Sequence, residues 1–203
     1  MRTTAGRDGD LSMDHDFSIR TLTEDDIRRL YSERLKEDFP PDEVKPLAMI
    51  LRALKKGRYV CFGAVEDESI LAYAFFVQAG ADALFDYFAV KKELRSQGIG
   101  SRFLQRLIRG PLRDHAHVLL EVDDPDLAPD EEEYRKRERR LAFYLRNGLT
   151  ETSVRAEVWH VGYRILALPV GHIPDPDDAR RIYASLYRMM MPEALFKRMV
   201  IVR

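Results

Sequence analysis

Residues 85–101, FDYFAVKKELRSQGIGS, decide the fold. The apolar, aromatic run Phe85–Val90 is followed by a polar stretch that contains Gly98 and Gly100, and helical spacing of apolar residues begins there. This pattern predicts a strand, a glycine-rich turn and a helix that ends near Gly110. The first turn of such a helix presents unpaired N–H groups at the positive end of the helix dipole. The segment is therefore a candidate anion-binding turn.

Two familiar phosphate-binding patterns do not fit this turn. The nucleotide P-loop needs a Gly-Lys-Ser/Thr ending, and the dinucleotide fingerprint needs three spaced glycines. On the glycine pair alone, a plain strand-to-helix turn remains an equal alternative.

The elements on either side predict a mixed sheet. Upstream the patterns indicate a strand over 17–21, a helix capped by Thr23, a helix from Asp42 to Gly57, and a hairpin of residues 59–66 and 70–77. Downstream they indicate a strand over 118–122, a helix over 129–147, a hairpin of residues 152–158 and 163–168, and a helix over 174–191. We predict an α/β (α+β) fold with a mostly antiparallel central sheet flanked by helices. The strands over 84–90 and 118–122 are predicted to be parallel, because a crossover helix connects them.

Composition narrows the class of protein. The 203 residues are 45% hydrophobic and 33% charged, which is typical of a folded globular chain. With 33 Lys and Arg against 34 Asp and Glu, the net charge of −1 argues against a nucleic-acid partner. No apolar run approaches the roughly 20 residues that span a membrane. The single cysteine, Cys61, excludes an internal disulfide and predicts a cytoplasmic protein.

The chain divides into three predicted parts. Residues 1–16 are predicted to be a disordered tail because they lack apolar periodicity, residues 17–169 to be the main domain, and residues 170–203 to be a helical extension. The extension is apolar enough that it should pack on its own domain or on a second copy, so a monomer and a homodimer both remain open. We favour its own domain, with 199–202 adding a short strand to a sheet edge.

Two motifs resemble those of the GNAT superfamily of acyl-CoA-dependent N-acyltransferases. Arg95-x-x-Gly98-x-Gly100 resembles motif A, and Phe143-Tyr144-x-x-x-Gly148 resembles motif B, with Leu149 in place of the usual aromatic residue. Arg137 stands where the family often has an asparagine that holds the pantetheine arm of coenzyme A, so that contact is in doubt.

The resemblance implies that acetyl-CoA is the co-substrate. No metal is predicted, because His115 and His117 have no Cys, Glu or third His at metal-ligand spacing. The pyrophosphate of acetyl-CoA would lie on the turn and its pantetheine arm would pair with the preceding strand, with a backbone N–H near Ala89 or Val90 stabilising the oxyanion. The implied binding residues are Phe88, Ala89, Val90, Arg95, Ser96, Gln97, Gly98, Ile99, Gly100 and Ser101.

The resemblance also implies a general acid and a general base. Tyr144 would protonate the departing thiolate, although a core aromatic is the alternative. Glu121 would accept the proton of the amine, directly or through water, with Asp86 as the second candidate. Either carboxylate is also compatible with an ordinary strand-end position. The acid-rich run over 123–133 is either a solvated surface or an attraction for a cationic amine such as a polyamine.

These expectations combine into one function and one alternative. The predicted function is transfer of an acetyl group from acetyl-CoA to the primary amine of a small molecule or peptide, by direct attack in a ternary complex. The alternative is a non-catalytic acyl-CoA-binding sensor or interaction module of the same fold.

Overall fold

The computed structural model describes residues 15–41 and 43–203, and in them eight strands form one mixed sheet. The order across the sheet is β1-β2-β3-β4-β5-β7-β6-β8. The strands are β1 Ser18–Thr21, β2 Tyr59–Glu66, β3 Ser69–Ala79, β4 Asp82–Val90, β5 His117–Asp123, β6 Thr150–Val158, β7 Val161–Ala167 and β8 Val200–Val202.

Helices cover both faces of this sheet. They are α1 Glu24–Leu30, which continues through a π-helical turn Tyr31–Leu35 into α2 Lys36–Asp38, then α3 Leu47–Lys55, α4 Ile99–Arg109, α5 Glu131–Arg146, α6 Pro176–Met190 and α7 Glu193–Met199. α1 and α3 pack with α6 and α7 on one face, and α4 and α5 pack on the other. None of the helices in the described part of the chain is long and apolar enough to cross a membrane.

The parallel pair predicted around the crossover helix is confirmed. β4 and β5 are parallel, whereas the other neighbouring strands are antiparallel. The helix between them is α4, whose predicted apolar face is buried. A fully buried Phe or Leu side chain contributes about 1.5–3 kcal/mol of transfer free energy, so this face holds the crossover firmly against the sheet.

The β4–β5 pairing stops halfway along both strands. It runs from Asp82 opposite His117 to Phe85 opposite Leu120, and no later residues are paired. Immediately after Phe85, β4 also changes register against β3 on its other side: Phe76 is opposite Phe85, but Phe75 is opposite Tyr87. Asp86 is therefore the extra residue of a β-bulge, which turns the strand where the two parallel strands separate.

The predicted start of the second helix was wrong. Asp42 lies outside the described residues, but Glu43 and Lys45 are not helical and α3 begins only at Leu47, after Pro46. The reason is a long-range contact: the Tyr87 hydroxyl accepts the Lys45 N–H and donates to the Glu43 carbonyl, both at 2.8 Å. These backbone groups are therefore tied to β4 instead of to a helical turn.

The C-terminal segment lies on the sheet. The predicted edge strand over 199–202 is confirmed as β8, which pairs antiparallel with β6 from Val158 opposite Val200 to Ala156 opposite Val202. On the sheet face, α6 buries Ala179, Ile182, Tyr183 and Leu186. The division into domains of 17–169 and 170–203 stays a prediction, and residues 1–14 of the predicted tail lie outside the described residues.

Candidate active site

The separation of β4 and β5 opens a cleft of about 1000 Å³. The second half of each strand lines it, with Asp86–Val90 on one side and Glu121 and Asp123 on the other. Tyr144 from α5 also lines the cleft. Both predicted catalytic residues, Tyr144 and Glu121, therefore face one cavity.

The glycine-rich turn forms one end of this cleft. Gly98 caps α4 with a φ of +78°, a left-handed conformation that favours glycine, and a Cβ there would meet nothing within 4 Å. At Gly100 a Cβ would lie 3.3 Å from Cγ2 of Val90, so the helix starts close against the end of β4. The first N–H groups of α4 have no carbonyl within the helix to bond. The turn thus meets the steric requirements of an anion site.

The residues predicted to bind the co-substrate are not equivalent. Ser96 and Ser101 line the cleft beside the two glycines. Ile99, in contrast, is 1% exposed and packs in the core, and the Gln97 side chain bonds to the Glu93 carbonyl. Only the backbone of these last two residues is available for an anion.

Arg95 connects the turn to its surroundings. Its Nε donates to the Val90 carbonyl at 3.1 Å, and its Nη2 lies 2.7 Å from Oδ1 of Asp38. The side chain is about half exposed and lines the cleft together with Arg146. Two guanidinium groups thus line the cleft that the N-terminus of α4 borders, although that of Arg95 is already paired with Asp38.

The strand before the turn has one free edge. Phe88, Ala89 and Val90 pair with β3 on one side, and no strand in the described part of the chain pairs with them on the other. The Phe88 ring stacks on Phe103 and Phe143, with centroids 5.8 and 6.1 Å away, which fixes the strand against α4 and α5. An extended ligand can therefore pair with a rigid, exposed strand edge.

Tyr144 is buried with its hydroxyl unengaged. It is 7% exposed, and its ring lies 6.5 Å from that of Phe88 and 5.2 Å from that of Phe143. No described residue forms a hydrogen bond with its hydroxyl. Burial raises the pKa of Tyr144 to about 12, so the group is protonated at neutral pH and able to donate a proton.

Glu121 is held by two tyrosines from the C-terminal segment. The hydroxyls of Tyr183 and Tyr187 both donate to its Oε1, the second at 2.5 Å. Burial raises the pKa of Glu121, and the two hydroxyl donors oppose that effect in part. Sequence reasoning assigned no role to these tyrosines. The only signal was their i, i+4 spacing beside the apolar stripe of α6, which puts them on one face but names no partner.

Asp86, the second candidate base, is already paired. Its Oδ1 lies 2.5 Å from Nζ of Lys45, and its Oδ2 accepts the Tyr59 hydroxyl. Burial alone would lower the pKa of Lys45, but the charge of Asp86 outweighs it and the pKa is raised, so the pair is ionic. Lys45 was not predicted from the sequence, because it falls in the segment predicted to be the second helix and no motif marks it.

The acid-rich run over 123–133 is largely neutralised by arginines. Arg140 lies 2.6 Å from Asp123, and Arg164 lies 2.7 Å from both Asp124 and Asp126. Glu133 pairs with Arg137, whose Nη1 also donates to the Asp124 carbonyl. Arg137, at the family's asparagine position, is thus bound to this loop. Most of the run is therefore paired, which leaves less free negative charge for a polyamine.

No metal site is built by the residues in 15–41 and 43–203. Nowhere in these ranges do three His, Cys, Asp or Glu side chains come close enough to hold an ion. The His117 Nδ1 lies 2.7 Å from Asp82, and its Nε2 lies 2.9 Å from Nε2 of His172.

Fold and site together define a class of protein. A mixed sheet whose single parallel pair diverges beside a glycine-rich helix N-terminus is the architecture of acyl-CoA-dependent transferases. The chain belongs to the acetyltransferase (GNAT) family, whose family model matches residues 24–137.

Known proteins agree with this assignment. Over 141 residues the chain is 28% identical to the Bacillus subtilis protein named "Putative acetyltransferase YjbC", a match that covers 70% of this chain and 64% of that relative. A GNAT-family structure from Bacteroides thetaiotaomicron has a TM-score of 0.66 at 22% identity, over 85% of this chain and 97% of the other. An aminoglycoside 6′-N-acetyltransferase complexed with coenzyme A has a TM-score of 0.55 at 17% identity. That match covers 78% of this chain and 99% of the other. The two structures support the fold.

Proposed function

We propose that this protein is an N-acetyltransferase that moves the acetyl group of acetyl-CoA to a primary amine by direct attack in a ternary complex. The observation that carries the proposal is the single cleft that joins three features. These are an open glycine-rich turn at Gly98, a protonated tyrosine at Tyr144 and a partly buried carboxylate at Glu121.

Acetyl-CoA fits the turn side of the cleft. The open space at Gly98, the unpaired N–H groups of α4 and the guanidinium groups of Arg95 and Arg146 suit a pyrophosphate. The free edge of residues 88–90 suits the amide groups of a pantetheine arm. When bound, acetyl-CoA supplies an acetyl group activated as a thioester. Holding both reactants in one cleft would by itself supply much of the rate acceleration.

Glu121 and Tyr144 then handle the two protons of the reaction. An alkyl ammonium has a pKa near 10, so at neutral pH it must lose a proton before it can attack. Glu121 accepts that proton, because it is the carboxylate of β5 that faces the cleft without an arginine or lysine partner among the described residues. Tyr144 donates its proton to the departing thiolate as the C–S bond breaks. The second N–H proton, which the attacking nitrogen loses as the amide forms, then restores the Tyr144 hydroxyl.

Direct attack is favoured over a covalent enzyme intermediate. The chain's one cysteine, Cys61, is fully buried in β2, and burial raises the pKa of its thiol. A thiol in that state is a poor nucleophile. No cysteine is therefore available to take the acetyl group.

The test is release of coenzyme A thiol from acetyl-CoA over a library of amines, together with calorimetry of acetyl-CoA binding. The proposal expects amine-dependent release, intersecting initial-velocity patterns, and no acetylated enzyme by mass spectrometry. Tight binding without release on any amine would instead support the sensor alternative. A parallel-line velocity pattern with a trapped acetyl-enzyme would overturn direct attack. A cytoplasmic location and a monomeric or homodimeric state stay predictions.

A further inference from the structure

We propose that the acceptor half of the cleft selects amines that carry one ammonium group on an apolar, aromatic-sized body, and that it discriminates against polycations. The inference rests on the proposed function, because it identifies the substrate class of the same site. It is carried by two observations: the apolar wall of the cleft, and the number of carboxylates that remain without a cation.

Three separate segments build the apolar wall. The loop and helix before β2 contribute Phe39 and Met49, the β6–β7 turn contributes Trp159, and the end of α6 with the start of α7 contributes Met190, Met191 and Leu195. Trp159 is 52% exposed and Met49 47% exposed, although both are large apolar side chains. Exposed apolar side chains that lie together in this way are typical of a binding surface. Aromatic rings and flexible thioethers suit a flat or branched hydrocarbon.

The charges of the diverging strands leave one position for a cation. Asp86 is paired with Lys45 at 2.5 Å, and Asp123 is paired with Arg140 at 2.6 Å. Among the described residues, Glu121 has no lysine, arginine or histidine nitrogen within 4 Å, and its two hydrogen-bond partners are neutral hydroxyls. The charge of Lys45, which is paired with Asp86, acts on Glu121 only from beyond that distance. Glu121 is therefore the one carboxylate of these strands that could form a direct ion pair with an ammonium group.

A second ammonium group would find no partner of this kind. It would have to approach either carboxylates that already hold a cation or the apolar wall, where an unpaired charge loses its hydration without compensation. Glu43 also lines the cleft, but it stands on the loop that Tyr87 ties to β4 and not on either of the diverging strands. The site should therefore discriminate by charge number as well as by shape.

The chain offers a direct probe of this site, because Trp159 is its only tryptophan. Intrinsic fluorescence titrations in the presence of coenzyme A would compare 2-phenylethylamine, the neutral isostere 2-phenylethanol, and spermidine at pH 7.5. Calorimetry with the same three compounds measures binding independently of the emission. We expect 2-phenylethylamine to bind at least about tenfold more tightly than either of the others. Equal or tighter binding of spermidine, or no binding of 2-phenylethylamine by either method, would overturn the inference.

Two variants test the two observations separately. Glu121→Gln should bring the affinities for the amine and the alcohol to within about threefold of each other, since only the ammonium gains from the carboxylate. Met190→Ala should weaken 2-phenylethylamine several-fold. Its control is Ile173→Ala, an equally apolar and 42% exposed position outside the cleft, which should change neither affinity. An unchanged amine preference in Glu121→Gln would remove Glu121 from acceptor recognition and overturn the charge argument.

The outcome also separates this inference from the proposed function. Binding in the expected order without coenzyme A release would leave the substrate class standing and reject the enzyme. Release that is faster with spermidine than with 2-phenylethylamine would keep the enzyme and reject the substrate class.

Discussion

The proposed role of Tyr144 as a general acid can be tested without disturbing other side chains. Its hydroxyl has no described partner, so removing it breaks no internal hydrogen bond. We expect Tyr144→Phe to lower kcat by about 10²-fold, as is typical for loss of a general acid, while acetyl-CoA affinity and thermal stability stay nearly unchanged. Steady-state kinetics and calorimetry measure these quantities. Tyr134→Phe, on the exposed side of the same helix, is the control. A wild-type kcat in Tyr144→Phe would return this side chain to a purely structural role.

Glu121 must be ionised to accept a proton, and burial raises its pKa, so kcat/KM should rise with pH through that pKa. The hydroxyls of Tyr183 and Tyr187 favour the ionised form and thus lower the pKa again in part. Tyr187→Phe removes one donor, so the acidic limb of the pH profile should move to higher pH. Tyr73→Phe also removes a tyrosine–carboxylate bond, to Asp38 at 2.8 Å, and Glu121 is not among the charged groups that act on Tyr73. It should leave the limb in place. Equal shifts in both variants would contradict a specific role for Tyr187.

The residues of the site differ in how far the sequence could reveal them. Tyr144 and Glu121 occupy positions that motif B and the strand after motif A indicate. Lys45, Tyr183 and Tyr187 meet their carboxylates across 41, 62 and 66 residues of sequence, through loops and a helix that have no motif. Their spacing along the chain does not predict these contacts, because the contacts form only when the sheet and helices are packed together.

The proposed co-substrate site depends on the strand–turn–helix unit around Gly98. Gly98→Glu forces a side chain into a left-handed conformation, at a cost of about 1–3 kcal/mol, and puts a carboxylate in the open space at the turn. We expect acetyl-CoA binding to fall below detection by calorimetry, because the carboxylate both crowds and repels a pyrophosphate.

Gly57→Glu is the matched control for that variant. Gly57 follows α3, has a φ of +64°, and likewise has nothing within 4 Å of a Cβ, but it does not line the cleft. Both substitutions should therefore lower the melting temperature to a similar extent. Only Gly98→Glu should lose binding, and unchanged affinity there would remove the turn from the proposed site.

Elements with strong local signals were predictable, and elements that long-range contacts reshape were not. The apolar face of α4 and the capping box of Thr23 and Asp26 are encoded within a few residues, and the structure has both. The late start of α3 depends on Tyr87, more than 40 residues away. The β-bulge at Asp86 also leaves no local mark, because a single extra residue in an apolar strand does not interrupt its composition.

The cleft is formed by segments from before and after the β4–β5 pair, which lies between them in the sequence. The family model ends at residue 137, yet Tyr144, Trp159, Tyr187 and Leu195 all line the cleft. The C-terminal segment therefore belongs to the proposed catalytic unit as well as to the fold. Its apolar sequence predicted that the segment packs on the domain or on a second copy. It did not predict that the segment supplies the hydroxyl groups that donate hydrogen bonds to Glu121.

Truncation after Val170 tests this dependence. It removes β8 from the edge of β6 and uncovers the sheet face that α6 occupies with Ile182, Tyr183 and Leu186, each at most 4% exposed. Side chains of this size contribute about 1.5–3 kcal/mol each on burial, whereas a whole domain is stable by only about 5–15 kcal/mol. We expect an insoluble or strongly destabilised product by expression and thermal unfolding.

Truncation after Met199 separates the strand from the helices. It removes β8 but keeps α6, and with it the two hydroxyls that donate to Glu121. Because a three-residue edge strand contributes few buried side chains, this shorter truncation should lower the melting temperature only modestly and keep the pH profile of coenzyme A release. If the chain ending at Val170 instead stayed soluble, monomeric and fully active, neither the packing of α6 nor its hydroxyls would matter, and Glu121 would have to act without them.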